Sequence, residues 1–242
     1  MAAPLRVEWL GRIPWLDALE AQMKRVEARR AGAGPDTLLL LEHPPVITLG
    51  RRSDPAHLLE SRAALAARGI DVVEAARGGS VTYHGPGQLV GYLVIDLAAR
   101  GAADVHVFLR SIEADLIAAI NKTGVAARAT PGRTGVFAAA AGRPRKLASI
   151  GIGLRGWVSF HGFALNVTLD PSEFASIVPC GLADVAMSSL AHELGASAPV
   201  SLMDQTRAAV AEAFAARWAA ACASFRTDLR ARSRRGCACA CA

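Results

Sequence analysis

The chain has little lysine, few aromatic residues and no long apolar run. Lysine stands at three positions, Lys24, Lys122 and Lys146, which leaves 24 of the 27 basic residues as arginine. Aromatic residues make up 5% of the 242 positions. No stretch of about 18 apolar residues occurs, so no membrane-spanning helix is expected. Alanine supplies much of the 52% hydrophobic fraction, which accounts for a mildly positive mean hydropathy without any membrane argument. The opening MAAPLRVEWLGRIP has no basic segment followed by an apolar one. No signal peptide is expected, and the expected compartment is the cytoplasm. There is no P-loop, no H-E-x-x-H and no G-x-S-x-G. The five cysteines are an odd set, with three in the last six residues, and make a poor disulfide framework. In a reducing compartment Cys180 is a free thiol.

Charge adds little about partners. The net charge is +6, and the tail from 226 to 242 carries +4 of it through Arg226, Arg230, Arg232, Arg234 and Arg235 against Asp228. A basic tail is weaker than a basic groove, so no nucleic-acid partner is expected. Cys237, Cys239 and Cys241 match no common zinc spacing, and the tail reads as low complexity and disordered.

Periodicity predicts single helices among strands. Leu16, Leu19, Met23 and Val26 space a helix over Trp15 to Arg30. Thr37–Leu41 and Val46–Leu49 read as strands. Ser61–Arg68 reads as a short helix, and Ile70–Glu74 as a strand entering a glycine-rich loop. Leu89–Leu97 is a strongly apolar strand. Asp104–Lys122 is a helix with Val107, Phe108, Ile112, Leu116, Ile117 and Ile120 inside. Val125–Ala138 is strand, turn and strand around Pro131-Gly132. Lys146–Leu154 and Trp157–Leu169 are adjacent strands joined at Arg155-Gly156. Asp204–Phe225 is a last, alanine-rich helix. The fold class is α/β or α+β, a mixed sheet with flanking helices.

Three features carry chemistry. The first is the segment from Arg77 to Gln88, RGGSVTYHGPGQ, where four glycines and a proline surround polar residues. Glycine allows close backbone approach to a ligand and positive φ, so this is a ligand loop or a tight structural turn. The second is Cys180 between Pro179 and Gly181. A thiolate in a loop forms acyl-thioesters readily, whereas most lone cysteines are buried and inert. The third is Lys146, an amine directly after Arg143 and Arg145 in a chain that otherwise prefers arginine. Arginine cannot deprotonate in a protein and lysine can, so Lys146 is a candidate general base or thiolate partner, or else an ordinary surface lysine. Gly151-Ile152-Gly153-Leu154-Arg155-Gly156 fits G-x-G-x-x-G, but a strand pattern follows it where a dinucleotide site needs a helix.

Taken in order, RGGSVTYHGPGQ, then KLASIGIGLRGWVSFHGFALNV from Lys146, then PCGL around Cys180 resemble the lipoyl(octanoyl) transferase family, of the lipoate-protein ligase B type. LEHPPVITLGRR at 41–52 and ELG at 193–195 also fit, and the likeness runs from about residue 5 to 220. It implies a fold similar to the catalytic domain of biotin- and lipoate-protein ligases, here over residues 1–225, with 226–242 as an appended tail. It implies that Cys180 accepts the acyl group and that Lys146 lowers its thiol pKa and handles protons. Substrate would be bound by Arg77, Gly78, Gly79, Ser80, Val81, Thr82, Tyr83 and His84, by Ser149, Ile150 and Gly151, and by His161, Gly162, Phe163 and Ala164. The implied reaction moves an octanoyl group from the phosphopantetheine of acyl carrier protein to a lysine of a lipoyl domain. The implied acceptors are the 2-oxoacid dehydrogenase complexes and the glycine cleavage H protein. Neither ATP nor a metal is expected. Phe137 stands where the family often has Trp, and the tail has no counterpart. An ATP-dependent ligase on the same fold, a non-catalytic carrier-binding module and a cysteine hydrolase are the rival readings.

Overall fold

The computed structural model describes residues 4–140, 142–179 and 184–219. The chain forms β1 (Arg6–Arg12), α1 (Trp15–Arg30), β2 (Thr37–Glu42), β3 (Val46–Leu49), α2 (Arg62–Ala67), β4 (Asp71–Glu74), β5 (Val81–His84) and β6 (Gln88–Val94). It continues with α3 (Val105–Asn121), β7 (Ala127–Thr130), β8 (Arg133–Ala138), β9 (Arg145–Arg155) and β10 (Val158–Asn166). The last elements are β11 (Ala186–Met187), α4 (Leu190–Leu194) and α5 (Leu202–Ala219).

There are two sheets. The larger has the order β1-β2-β6-β10-β9-β8-β7, with β11 beside β9, and the smaller is β4-β3-β5. Pairing is mixed: β1 runs parallel to β2, β4 to β3 and β11 to β9, and the other pairs are antiparallel. Residue alternation in β2 shows how the large sheet is covered. Leu38 and Leu40 enter the main core under α3 and α5, while Leu39 and Leu41 face Ala18 of α1. With both faces covered, β6 and β10 are buried along their whole length, so the polar residues they carry, Gln88, Ser159, His161 and Asn166, are buried too. The helix α3 starts where the Asp104 side chain accepts from the backbone N–H of His106 and Val107, at 2.8 and 3.0 Å. It buries Phe108, Ile112, Leu116 and Ile120.

Two expectations change. The buried face of α1 is Trp15, Ala18, Gln22 and Val26, and Leu16 is 65% exposed. The stripe is turned about one residue from the leucine spacing because Trp15, at the helix start, is the side chain that meets the sheet. The segment read as one glycine-rich loop contains a strand. Val81, Thr82 and Tyr83 are β-branched or aromatic, and β5 pairs with β3 from Val81↔Leu49 to His84↔Val46. The glycines only frame it. The last helix is described to Ala219, and the proposed 225/226 boundary, Cys222 and the arginine- and cysteine-containing tail lie outside the described residues. No helix among the described residues is long and apolar enough to cross a membrane.

Candidate active site

A cavity of about 510 Å³ opens where β9 and β10 of the large sheet face β5 and the start of α1. That lies within the range of about 300–1,000 Å³ usual for small-molecule sites. Arg77, Gly79, Ser80, Val81, Thr82, His84, Lys146, Ser149, Ile150, Gly151, His161, Gly162, Phe163 and Ala164 all line it. Two residues singled out from the sequence do not. Gly78 donates its N–H to Ile152 O at 2.8 Å and so stitches the turn to β9. The Tyr83 ring lies in the smaller core with Ile47 and Phe174, because alternate residues of β5 point to opposite faces. Cys180 lies outside the described residues.

The turn before β5 is held by its own arginine. Arg77 Nη1 donates to Ser80 O at 2.9 Å, and Nη2 donates to Thr48 O at 2.9 Å and Thr48 Oγ1 at 2.6 Å. Its role is thus largely to tie the turn to β3. The glycines here are needed for approach. A Cβ on Gly151 would lie 2.6 Å from Gly78 O, and one on Gly50 would lie 2.5 Å from Gly79 O.

Lys146 is not a surface lysine: it is 3% exposed. Its Nζ lies 5.6 Å from the centre of the Phe137 ring, a cation–π distance. Its backbone is held from the other side by β11, through Met187↔Lys146 pairing and Ser188 N–H donating to Lys146 O at 2.9 Å. A buried polar chain continues from there. Asn166 Nδ2 donates to Ser188 O at 2.8 Å, Gln88 Nε2 donates to Asn166 Oδ1 at 2.9 Å, and Gln88 Oε1 meets His84 Nδ1 at 2.7 Å. Gln88 offers its oxygen, so His84 carries its proton on Nδ1. Its Nε2 then accepts from Thr48 Oγ1 at 3.3 Å. Both ring nitrogens are engaged, so His84 acts as a brace.

Three of the six histidines gather at one end of the cavity. His43 meets Ile13 O through Nδ1 at 2.8 Å and Tyr92 Oη through Nε2 at 2.7 Å. Burial lowers its pKa to about 4. Burial, then the nearby His43 and Arg77, push His84 well below its ordinary value. Burial and, less, Arg77 lower His161 to about 3. All three are therefore neutral at pH 7. His161 is also strained: its φ is 57°, in mid-strand, with its N–H donating to Gln22 Oε1 at 2.7 Å. Its ring stacks on Trp15 at 6.1 Å, and its buried Nε2 has no hydrogen-bond partner among the described residues. Strain and an unsatisfied nitrogen in one residue make His161 a candidate for ligand contact.

The sequence reading missed Trp15, Tyr92 and Gln22, which build the aromatic end, and Gly132, Arg133 and Thr134, which close the wall beside Lys146. Arg52 and His57 also line the cavity. The available signal was scarcity: a chain with two tyrosines and four tryptophans has placed one of each here.

The molecule is thus a two-sheet α/β domain whose cavity holds a buried lysine and the arginines Arg52, Arg77 and Arg133. Residues 14–215 match the lipoyl protein ligase A/B catalytic domain, and the chain belongs to that family. The octanoyltransferase of Geobacter metallireducens is 49% identical over 191 residues, which is 79% of this chain and 84% of that relative. Among solved structures, the bipartite lipoate protein ligase of Thermoplasma acidophilum is similar at a TM-score of 0.61 and 16% identity, covering 88% of this chain and 82% of that one. A biotin protein ligase of Leishmania major is similar at 0.51 and 12%, covering 90% and 77%. These likenesses establish the fold, and the octanoyltransferase relatives support an acyltransferase of lipoate metabolism.

Proposed function

We propose that this protein transfers an octanoyl group from the phosphopantetheine thiol of an acyl carrier protein to a lysine of a lipoyl domain, through a thioester on Cys180. The acceptors we have in mind are the lipoyl domains of 2-oxoacid dehydrogenase complexes and the glycine cleavage H protein. The observation that carries this reading is the burial of Lys146 in the cavity, beside the described residues that flank Cys180. Val178 N–H donates to His57 O at 2.9 Å, and Asp184 Oδ2 binds Arg133 Nη2 at 2.5 Å. Both His57 and Arg133 line the cavity. The described residues on either side of Cys180 are thus anchored to the cavity rim.

In the first step the Cys180 thiolate attacks the carrier thioester carbonyl. The carbon–sulfur bond to phosphopantetheine breaks, and the leaving thiolate takes a proton from Lys146. In the second step the acceptor amine attacks the new thioester, the bond to Cys180 breaks, and Lys146 removes a proton from the attacking nitrogen. Thioester to amide is downhill, so the reaction runs without ATP. Burying about seven CH₂ and CH₃ groups contributes roughly 5–6 kcal/mol of binding.

Intact mass after exposure to octanoyl carrier protein tests the reading. An octanoyl adduct, sensitive to hydroxylamine and lost in Cys180→Ser, is expected. An adduct that survives in Cys180→Ser would place the nucleophile elsewhere. Transfer that requires ATP would return the chain to the ligase reading, and the absence of any adduct to the carrier-binding one.

A further inference from the structure

The wall behind Lys146 is made by a glycine and a buried carboxylate on a helix. Gly135 of β8 has φ +125°, a conformation that side-chain-bearing residues rarely adopt. A Cβ there would lie 2.6 Å from Lys146 Cε and 2.5 Å from Ala148 O. The notch that receives the lysine methylenes therefore exists only while Gly135 keeps this geometry. The register of β8 against β9 slips between Val136 and Phe137, immediately after it. The Gly135 N–H donates to Glu113 Oε1 on α3, at 2.9 Å. Glu113 is 1% exposed, and its Oε2 accepts from Arg110 Nη1 at 2.6 Å. Arg110 Nη2 donates in turn to Thr134 Oγ1, at 3.2 Å, and Thr134 lines the cavity. The apolar neighbours Ile112 and Leu116 already pack α3 on the sheet. The carboxylate is thus a specific grip of helix on strand, and the strand it grips is the one that shapes the lysine's slot.

We propose that Glu113 is a positioning residue for Lys146: through the Gly135 N–H it holds the β8 irregularity that keeps the Lys146 side chain aimed into the cavity. The inference rests on the proposed role of Lys146 in proton transfer. Glu113 touches no substrate. It acts only by fixing where the amine sits, so its loss lowers turnover and leaves substrate binding in place. A displacement of about 1 Å of a catalytic group can cost up to about 100-fold.

The experiment compares Glu113→Ala, Glu113→Gln and Lys146→Ala in the full chain, with circular dichroism as the check of folding. Three readouts are taken: kcat, KM for the octanoyl carrier, and the pH dependence of iodoacetamide alkylation of Cys180. Folded Glu113→Ala is expected to lose about 10–100-fold in kcat with KM changed less than about threefold, the split expected of a misplaced catalytic group. Its alkylation profile is expected to move to higher pH, toward that of Lys146→Ala. Glu113→Gln keeps an oxygen for the Gly135 N–H and is expected to recover most of the activity. If Glu113→Ala does not fold, Glu113→Asp, which draws the carboxylate back from the Gly135 N–H, replaces it, with the same expected split and shift. A folded variant with wild-type kcat and an unmoved alkylation profile, beside an inactive Lys146→Ala, overturns the positioning role alone. An active Lys146→Ala overturns both the role of the lysine and the device that positions it.

Discussion

Acid should unfold this protein early, and the buried histidines set the slope. A histidine whose folded pKa lies below its unfolded value contributes stability that is fully present above the unfolded pKa. That stability is lost as pH falls toward the folded pKa, because the unfolded chain binds a proton that the fold refuses. His43 falls from 6.5 to about 4, His161 from 6.5 to about 3, and His84 moves in the same direction. Between pH 6.5 and 4 the unfolded state therefore gains about two protons over the fold at His43 and His161, and His84 adds in the same direction. Asp115 opposes them. Burial against α5, only partly offset by Arg217, raises it from 3.8 to about 7, so over most of the same window the folded state holds a proton that the unfolded state lacks. The balance of His43 and His161 against Asp115 is about one proton, a slope of about 1.4 kcal/mol per pH unit, which His84 steepens. Acidification from 6.5 to 5 then removes about 2 kcal/mol or more, an appreciable share of the roughly 5–15 kcal/mol of an ordinary domain.

Urea unfolding at half-unit steps from pH 7.5 to 5 measures this slope directly. His161→Asn removes the His161 contribution and suits the residue's φ of 57°, since asparagine tolerates the left-handed region better than most residues. Its slope is expected to be lower than that of wild type by about 1.4 kcal/mol per unit, and Asp115→Asn is expected to steepen the slope by about as much. A wild-type slope indistinguishable from zero, or a His161→Asn slope equal to wild type, would refute the reasoning that these rings are buried neutral.

Further outcomes follow from the same geometry. Lys146→Arg keeps the charge but cannot accept a proton and meets the Gly135 notch with a larger head, so kcat is expected to fall by about 10²–10⁴ and the amine-transfer step more than acylation. Single-turnover rates of the two steps check it, and near wild-type transfer would leave only a charge role. Replacing octanoyl with hexanoyl removes two methylenes from the cavity, about 1.6 kcal/mol, so kcat/KM should drop roughly 15-fold; equal rates for the two chains would show that the cavity does not hold the acyl tail. Truncation after Phe225 removes the +4 tail and should leave kcat and Tm unchanged. Any loss in kcat/KM for an acidic carrier should then vanish at high salt. A large loss of kcat would place the tail in the site.

What could be read from the sequence and what could not divides along physical lines. Element spans were legible where periodicity and breakers agree: α1 runs from Trp15 to Arg30 and α3 from Val105 to Asn121, with Asp104 as its cap. The small sheet was hidden because β5 is four residues long and framed by glycines, so local composition reads as loop while pairing with β3 decides otherwise. Motifs located the cavity, since a turn that packs its backbone against β9 must use glycine at Gly50 and Gly151, and that demand shows in one sequence. Motifs named His84 and His161, but their convergence with His43 was not legible, because the three come from separate strand regions through contacts that no spacing encodes.

The same division explains Lys146. Its rarity among arginines suggested a special amine, but rarity cannot distinguish a buried lysine from an exposed one. Burial comes from two neighbours far along the chain: β11 covers its backbone, and Gly135 withdraws a side chain from its path. A guanidinium would need more room than that slot gives and would stay charged within it. The slot and the chemistry therefore ask for the same residue, and this is why a chain so rich in arginine keeps a lysine there. Against the arginine bias of the rest of the chain the lysine at this position stands out, and the Glu113–Gly135 contact is the proposed means by which it is held.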